Sequence, residues 1–146
     1  MIPHDWQWKT EQYNSDQILL GIDAVSEPDE HGLINIISIQ KVRGTSKSMD
    51  LESEFNSMFK NYEREANLKI LESGKSSIFG TNSYFIHTKS DSGTYGEIEV
   101  ISFMCTGIEY GLFYVLTASA SQDKDLRRNM AVMIQCLKTF DFKMNN

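Results

Sequence analysis

The chain has 146 residues, 40% of them hydrophobic and 23% charged, and its formal net charge is -6. This length predicts a single domain, residues 1–146, large enough to bury a core without metals or disulfide bonds. The acidic balance argues against a nucleic-acid partner, because a polyanion is bound by a basic surface. The lack of a long apolar run in the sequence argues against membrane insertion and predicts a soluble protein.

The N-terminal segment, residues 1–16, is polar except for its aromatic residues. Trp6 and Trp8 predict an arm or short strand that docks on the body of the domain, because two tryptophans in a disordered tail would be unusual. The core is then expected to span residues 17–142. The opening MIPHDWQWKT has no signal sequence or lipid-anchor cysteine. This predicts a cytoplasmic protein, or a periplasmic or envelope protein if the native gene encodes an upstream signal.

The first half of the core predicts a hairpin followed by a helix. Gln17–Ala24 and Leu33–Val42 are rich in aliphatic residues and are separated by a turn with proline and glycine. Residues 50–66 place apolar side chains at the spacing of one helix face. Ser48 or Asp50 is predicted to cap the start of this helix.

The second half predicts four strands and a second helix. Residues 68–79 and 81–88 predict a strand pair, and residues 95–121 predict two long strands joined by a turn with glycines. Residues 123–139 again show helical spacing. The expected fold is α+β, with an antiparallel sheet of about six strands and two main helices. The economical packing places both helices on one face of the sheet.

Several predicted strands carry apolar side chains on both faces, which a sheet with one open face does not. In the last strand, for example, Phe113 lies on the opposite face from Leu112 and Tyr114. Either the arm and the twisted strand ends cover the second face, or that face is a groove for a partner protein or for a second copy of the chain. The residues predicted to form such a docking surface are Tyr84, Ile86, Phe103, Phe113 and Tyr114.

No motif in the sequence predicts catalysis, a metal or a cofactor. The histidines, His4, His31 and His87, are not spaced as metal ligands. His87 follows apolar residues on a predicted central strand, but no partner that would orient it as a base is apparent. Glu97 and Glu99 point to one face of a strand and are interpreted as a solvated edge.

Cys105 and Cys136 are the only cysteines in the sequence. They lie in a predicted strand and a predicted helix and are too few for a disulfide framework, so both are expected to be reduced and buried. A single bridge between the helix and the sheet stays open at this point, because the sequence does not fix the distance between the two residues.

The order of the segments ISIQKV, DLESEFNSMFKNYEREA, LKILESG, YFIHT, YVLTASAS and CLKTFDF resembles the PsbP-like superfamily, which includes PsbP, Ran-binding Mog proteins and bacterial DcrB-type domains. The resemblance covers residues 17–142 and is strongest at Ile36–Val42, Tyr114–Ala120 and Leu137–Phe142. It implies an α/β/α sandwich with helices on both faces of a central antiparallel sheet. It also implies binding rather than catalysis, and for some bacterial members the chaperoning of apolar segments. The secretion signal or lipid anchor of bacterial relatives is not found in this sequence.

The leading functional hypothesis is a non-enzymatic protein-binding domain, of adaptor or chaperone type, that uses an apolar sheet surface. A second hypothesis is an envelope or accessory structural subunit of the same family. A third is a small-molecule-binding domain, or an enzyme, with His87 near its site. The predicted partner is another protein or a second copy of the chain.

Overall fold

The computed structural model of the protein describes residues 2–11, 15–30, 32, 34–45, 50–80, 82–91, 93, 96–106, 110–121 and 125–140, apart from the side chain of residue 11. Within these ranges the chain forms seven strands and two helices. In chain order they are β1 (Gln7–Glu11), β2 (Ile18–Val25), β3 (Ile36–Arg43), α1 (Leu51–Arg64), β4 (Leu68–Ser76), β5 (Ser83–Asp91), β6 (Glu97–Thr106), β7 (Leu112–Ser121) and α2 (Leu126–Lys138). The predicted α+β class is confirmed.

The strands form one antiparallel sheet in the order β1-β2-β3-β7-β6-β5-β4. The two long strands predicted within residues 95–121 are β6 and β7, and β7 occupies the middle of the sheet. Residues 107–109 of the predicted turn lie outside the described residues. Gly111, just before β7, has a φ angle of 75°, a left-handed conformation that glycine adopts without strain. The sheet has one strand more than the six predicted, and this additional strand is β1 of the N-terminal arm.

The two helices lie on opposite faces of the sheet, as the family resemblance implied. Side chains alternate along β7, so Phe113 packs in the core beneath α1, whereas Leu116 and Ala118 pack in the core beneath α2. Because each face carries a helix, the central strands have apolar side chains on both faces. The prediction that both helices share one face is therefore wrong.

Helix α1 is held by its N-cap and by its buried face. The side chain of Asp50 accepts a hydrogen bond from the backbone N–H of Ser53 at 2.9 Å, which confirms one of the two predicted caps. Ser48, the other candidate, lies outside the described residues. Phe55 stacks on Tyr84 of β5 with ring centroids 4.7 Å apart. The helix ends two residues before its predicted end.

Helix α2 packs over the middle of the sheet, mainly against β7. Its buried stripe follows helical spacing and consists of Leu126, Met130, Met133 and Leu137. Below it, Ala118 and Ala120 are fully buried. Such small side chains let the helix approach the strands closely. Residues 123 and 124 of the predicted helix lie outside the described residues.

The N-terminal arm contributes β1 and covers part of the sheet face on which α2 lies. Strand β1 pairs with β2 and places Trp8 opposite Ala24. Ile2 and Trp6 pack against the core beneath α2, whereas Trp8 is 55% exposed. The arm thus covers the second face only in part. In the described part of the chain, neither helix is long and apolar enough to cross a membrane.

Candidate functional site

The five residues predicted to form a docking surface lie inside the domain. Tyr84, Ile86, Phe103 and Phe113 are at most 6% exposed, and Tyr114 is half-buried against the core beneath α2. Their side chains fill the layers between the sheet and the two helices, so a partner cannot reach the first four in this conformation. The burial corrects the prediction, which assumed one helix-free face and so took core residues for a surface.

An apolar groove of about 490 Å³ lies between the arm and α2. We name it the arm groove; it is lined by Ile2 and Pro3 of the arm and by Ala131, Val132, Gln135, Cys136 and Thr139 of the helix end. A smaller pocket of about 150 Å³ adjoins it, where Trp8 and the β3 residues Ile37 and Ile39 face the end of α2. Together the two form a continuous apolar surface along one flank of the helix.

Helical spacing and strand register together build this surface. Val132 and Thr139 are two turns apart and therefore lie on one face of the helix end. Across the strands, Trp8 lies opposite Ala24, and Ala24 lies opposite Ile37, so all three stand in one row on the α2 side. Trp8 and Val132 are 55% and 45% exposed. Large apolar side chains that are exposed together are typical of interaction sites.

A second cavity, of about 500 Å³, lies on the other flank of α2, over β5 and β6. We name it the α2 cleft. Its lining residues are His87, Glu99 and Ile101 of the sheet and Leu126, Arg127, Met130, Ala131 and Ile134 of the helix.

The polar wall of the α2 cleft is a hydrogen-bonded pair. Nε2 of His87 and Oε2 of Glu99 lie 3.0 Å apart, and the two side chains are 26% and 17% exposed. An ionised carboxylate only accepts hydrogen bonds, so Nε2 of His87 carries the proton when Glu99 is ionised. Within the described part of the chain, no residue engages Nδ1 of His87 or Oε1 of Glu99.

The strand register explains why the sequence did not reveal this pair. His87 was predicted to have no partner, and Glu99 was grouped with Glu97 as a solvated edge. In the register of β5 and β6, His87 lies opposite Ile101 and Lys89 lies opposite Glu99, so His87 and Glu99 are diagonal neighbours on one face. Glu97 instead forms an ion pair with Lys89. Both expectations are corrected by a pairing that only the register fixes.

The opposite face of the sheet is polar where α1 does not cover it. Lys9, Asp23, Ser38, Thr117 and Ser102 stand in one row across β1, β2, β3, β7 and β6. The hydroxyl groups of Ser102 and Thr117 lie 3.0 Å apart. Oδ1 of Asp23 and Oγ of Ser38 are buried without a hydrogen-bond partner among the described residues. A polar row does not suit an apolar ligand, so the apolar candidate sites lie beside α2.

Both cysteines are free thiols, so the bridge that the sequence left open is not formed. Cys105 is 1% exposed beneath α2, and burial raises the pKa of its thiol to about 12. Such a thiol stays protonated at neutral pH and is a poor nucleophile. Cys136 is half-buried and lines the arm groove. Across the described ranges, no group of three or more His, Cys, Asp or Glu side chains is placed to hold a metal ion.

The fold and its flanking cavities define a class, an α/β/α sandwich with one antiparallel sheet. No protein-family model matches the sequence, and no curated protein matches it. Among solved structures, the chain is similar to PA94 from Pseudomonas aeruginosa, a protein of unknown function suggested to be a regulator. The TM-score is 0.68 at 9% sequence identity, and the match covers 94% of this chain and 99% of that chain.

The chain is also similar to the Ran-binding protein Mog1p from Saccharomyces cerevisiae. Here the TM-score is 0.51 at 10% identity, over 94% of this chain and 80% of that chain. At these identities the likeness shows a shared fold, and it is the fold that the PsbP-like resemblance implied.

Proposed function

We propose that the protein is a non-enzymatic binding domain, of adaptor or chaperone type, that holds an apolar segment of a partner protein in the arm groove. The carrying observation is the continuous apolar surface formed by the arm groove, where Val132 is exposed, and the adjoining pocket, where Trp8 is exposed. Covering this surface removes apolar area from water, which stabilises a complex by roughly 25 cal/mol per Å² before the costs of association.

The structural neighbours and the family resemblance support a protein partner. Mog1p is described as a Ran-binding protein, and the PsbP-like resemblance implies binding, in some bacterial members of apolar segments. A net charge of -6 further favours a partner segment with basic residues beside its apolar stretch, because opposite charges speed encounter.

Site-specific crosslinking followed by a binding measurement tests this proposal. A photoreactive side chain at position 132 is expected to crosslink a partner from cells of the native organism, whereas the same group at exposed position 56, on α1, is not. The apolar segment identified at the crosslink is then titrated against the purified chain. Val132→Glu should weaken its binding by at least about tenfold, because the new carboxylate would be buried without a partner. Asn56→Glu is the matched control.

A second copy of the chain is the competing occupant of the arm groove. Light scattering distinguishes the two cases, because a homodimer through the groove would become monomeric on Val132→Glu without any added protein. Equal binding by the Val132→Glu and Asn56→Glu variants would show that the partner does not use this surface, and the proposal would be wrong.

A further inference from the structure

We propose that the α2 cleft is a separate binding site for a small zwitterion, a molecule with an ammonium group and a carboxylate on an apolar body, as in an apolar amino acid. The site lies on the opposite flank of α2 from the arm groove. It does not depend on the protein partner proposed above.

The shape and walls of the α2 cleft suit a small organic molecule. Its volume of about 500 Å³ lies within the range of ligand pockets, roughly 300–1,000 Å³. Ile101 of β6 and Met130 and Ile134 of α2 form an apolar lining. A few charged groups at the edge of an apolar lining fix the orientation of a bound molecule.

Glu99 provides the anionic wall. Its Oε2 is held by Nε2 of His87 at 3.0 Å, which fixes the orientation of the carboxylate. Oε1 engages no residue that the structure describes, so it remains an acceptor for the ammonium group of a ligand. Lys89, which lies opposite Glu99 in the strand register, forms an ion pair with Glu97.

Arg127 provides the cationic wall. It lies in the first turn of α2, where no acidic residue is present, and it forms no ion pair with any described residue. Its neighbour Arg128 differs, because Arg128 lies 3.7 Å from Asp125 and does not line the cleft. The guanidinium of Arg127 is thus the group available for a ligand carboxylate.

Glu99 and Arg127 do not form an ion pair with each other. Each is therefore available for a ligand group of opposite charge, which favours a zwitterion. A ligand with only a carboxylate would satisfy Arg127 but meet the like charge of Glu99. A ligand with only an ammonium group would satisfy Glu99 and leave Arg127 without a counter-charge. One group of each sign on an apolar body satisfies both walls and covers the apolar lining.

The test compares three molecules that share one apolar body. L-phenylalanine carries both charges, 3-phenylpropanoate lacks the ammonium group, and 2-phenylethylamine lacks the carboxylate. Binding is followed by NMR of the chain with ¹³C-labelled methionine methyl groups. Met130 lines the cleft and should shift, whereas Met104 packs beneath α1 and should not. Phenylalanine is expected to bind with a Kd of about 1 mM or below, and each analogue about fivefold or more weakly.

Two conservative variants assign the walls. Arg127→Gln should weaken the binding of phenylalanine by about fivefold or more. It should leave the binding of 2-phenylethylamine unchanged, because that amine has no carboxylate. Glu99→Gln should weaken the binding of phenylalanine by a similar factor. The variant should bind 3-phenylpropanoate no more weakly than the original chain does. Arg128→Gln is the matched control, since it removes an exposed guanidinium one residue away.

Three results would overturn the assignment. The first is no shift of Met130 with phenylalanine at about 10 mM, well above the expected Kd. The second is an analogue that binds as tightly as phenylalanine, which would show that one charge suffices. The third is that Arg127→Gln and Arg128→Gln weaken phenylalanine binding equally, which would show that Arg127 acts only through the overall charge of the protein. None of these results bears on the arm groove, whose test uses position 132.

Discussion

The two faces of the sheet each carry one helix, but the helices are packed in different ways. On the α1 side, Phe55 stacks on Tyr84, and this pair belongs to a cluster with Met104 and Phe113 that fills the space between helix and strands. On the α2 side, the helix sits over the small side chains of β7, and a cavity opens on each of its flanks. The α2 side also contains packed rings, among them Phe79 and Phe85 against Phe103, but it keeps a concave surface on each flank of the helix.

This difference follows from the residues beneath each helix. Beneath α1, the large rings of Tyr84 and Phe113 pack against the buried face of the helix. Ala118 and Ala120 beneath α2 let that helix lie close to β7, so its flanks stand above the neighbouring strands as walls. Both sides contribute buried core residues, and the two candidate sites lie on the α2 side.

The largest expected effect tests this division directly. Phe55→Ala removes a ring that is buried against Tyr84 and should lower the free energy of unfolding by about 3–5 kcal/mol. Val132→Ala in the arm groove should change it by less than about 0.5 kcal/mol, because the side chain is already exposed. Urea unfolding followed by tryptophan fluorescence measures both. A cost for Val132→Ala near that of Phe55→Ala would mean that the arm groove is part of the core.

Close packing at the end of the α1 side gives the next prediction. A Cβ at Gly44 would lie 2.5 Å from Cε2 of Phe113 and 3.0 Å from Oε1 of Glu54. Oε1 of Glu54 already accepts the backbone N–H of Thr45 at 2.6 Å, so it is not free to move away. Gly44→Ala should therefore cost about 1–3 kcal/mol.

A double-mutant cycle identifies the cause of that cost. Phe113→Leu removes the ring atom that meets the new Cβ, so Gly44→Ala should cost less in that background. If Gly44→Ala costs the same with either residue at position 113, contact with the ring is not the reason. Chemical denaturation of the four proteins supplies the cycle.

A pH-dependent prediction tests whether the layer under α2 is dry despite its open flanks. Burial raises the pKa of Cys105 from an ordinary value near 9 to about 12. The unfolded chain begins to release this proton near pH 9 and the folded chain near pH 12, so the unfolded state binds fewer protons between these values. The free energy of unfolding should be unaffected by this thiol below about pH 9 and fall as pH rises toward 12.

Cys105→Ala is the control for the alkaline decline. The variant lacks the thiol, so its free energy of unfolding should fall less between about pH 8 and pH 11 than that of the original chain. Tyr62 and Tyr84 also have raised pKa values through burial, and they contribute to the decline in both proteins. Parallel declines in the two proteins would show that water reaches the thiol beneath α2.

The fold was largely predictable from local patterns, because each element carries its own signal. The apolar spacing along α1 and α2 and the β-branched and aromatic runs of β6 and β7 depend on residues near one another in the chain. The side on which each helix lies was not predictable in this way. Loops and tertiary packing determine the sheet face on which each helix lies. The apolar side chains on both faces of β7 were compatible with either a second helix or an open groove.

The candidate sites were less predictable, because they arise from residues distant in the chain. His87 and Glu99 meet through the register of two strands, and Arg127 joins them from a helix placed by tertiary packing. The arm groove needs Ile2 and Val132, which lie at opposite ends of the chain. The tryptophans of the arm were a usable signal, since the sequence predicted from Trp6 and Trp8 that the arm docks on the body, but the 55% exposure of Trp8 was not predicted.

The smallest expected effect compares how the two helices begin. Asp50 accepts the backbone N–H of Ser53 at the start of α1, whereas Asp125 makes no side-chain cap hydrogen bond at the start of α2. Asp50→Ala should therefore lower the free energy of unfolding by about 1 kcal/mol. Asp125→Ala should cost only a few tenths of a kcal/mol, from the loss of its weak, exposed pairing with Arg128 at 3.7 Å. Thermal unfolding resolves the difference. Equal costs would indicate that the start of α2 is fixed as firmly as that of α1, and the α2 cleft would then have a rigid rim formed by the first turn of the helix.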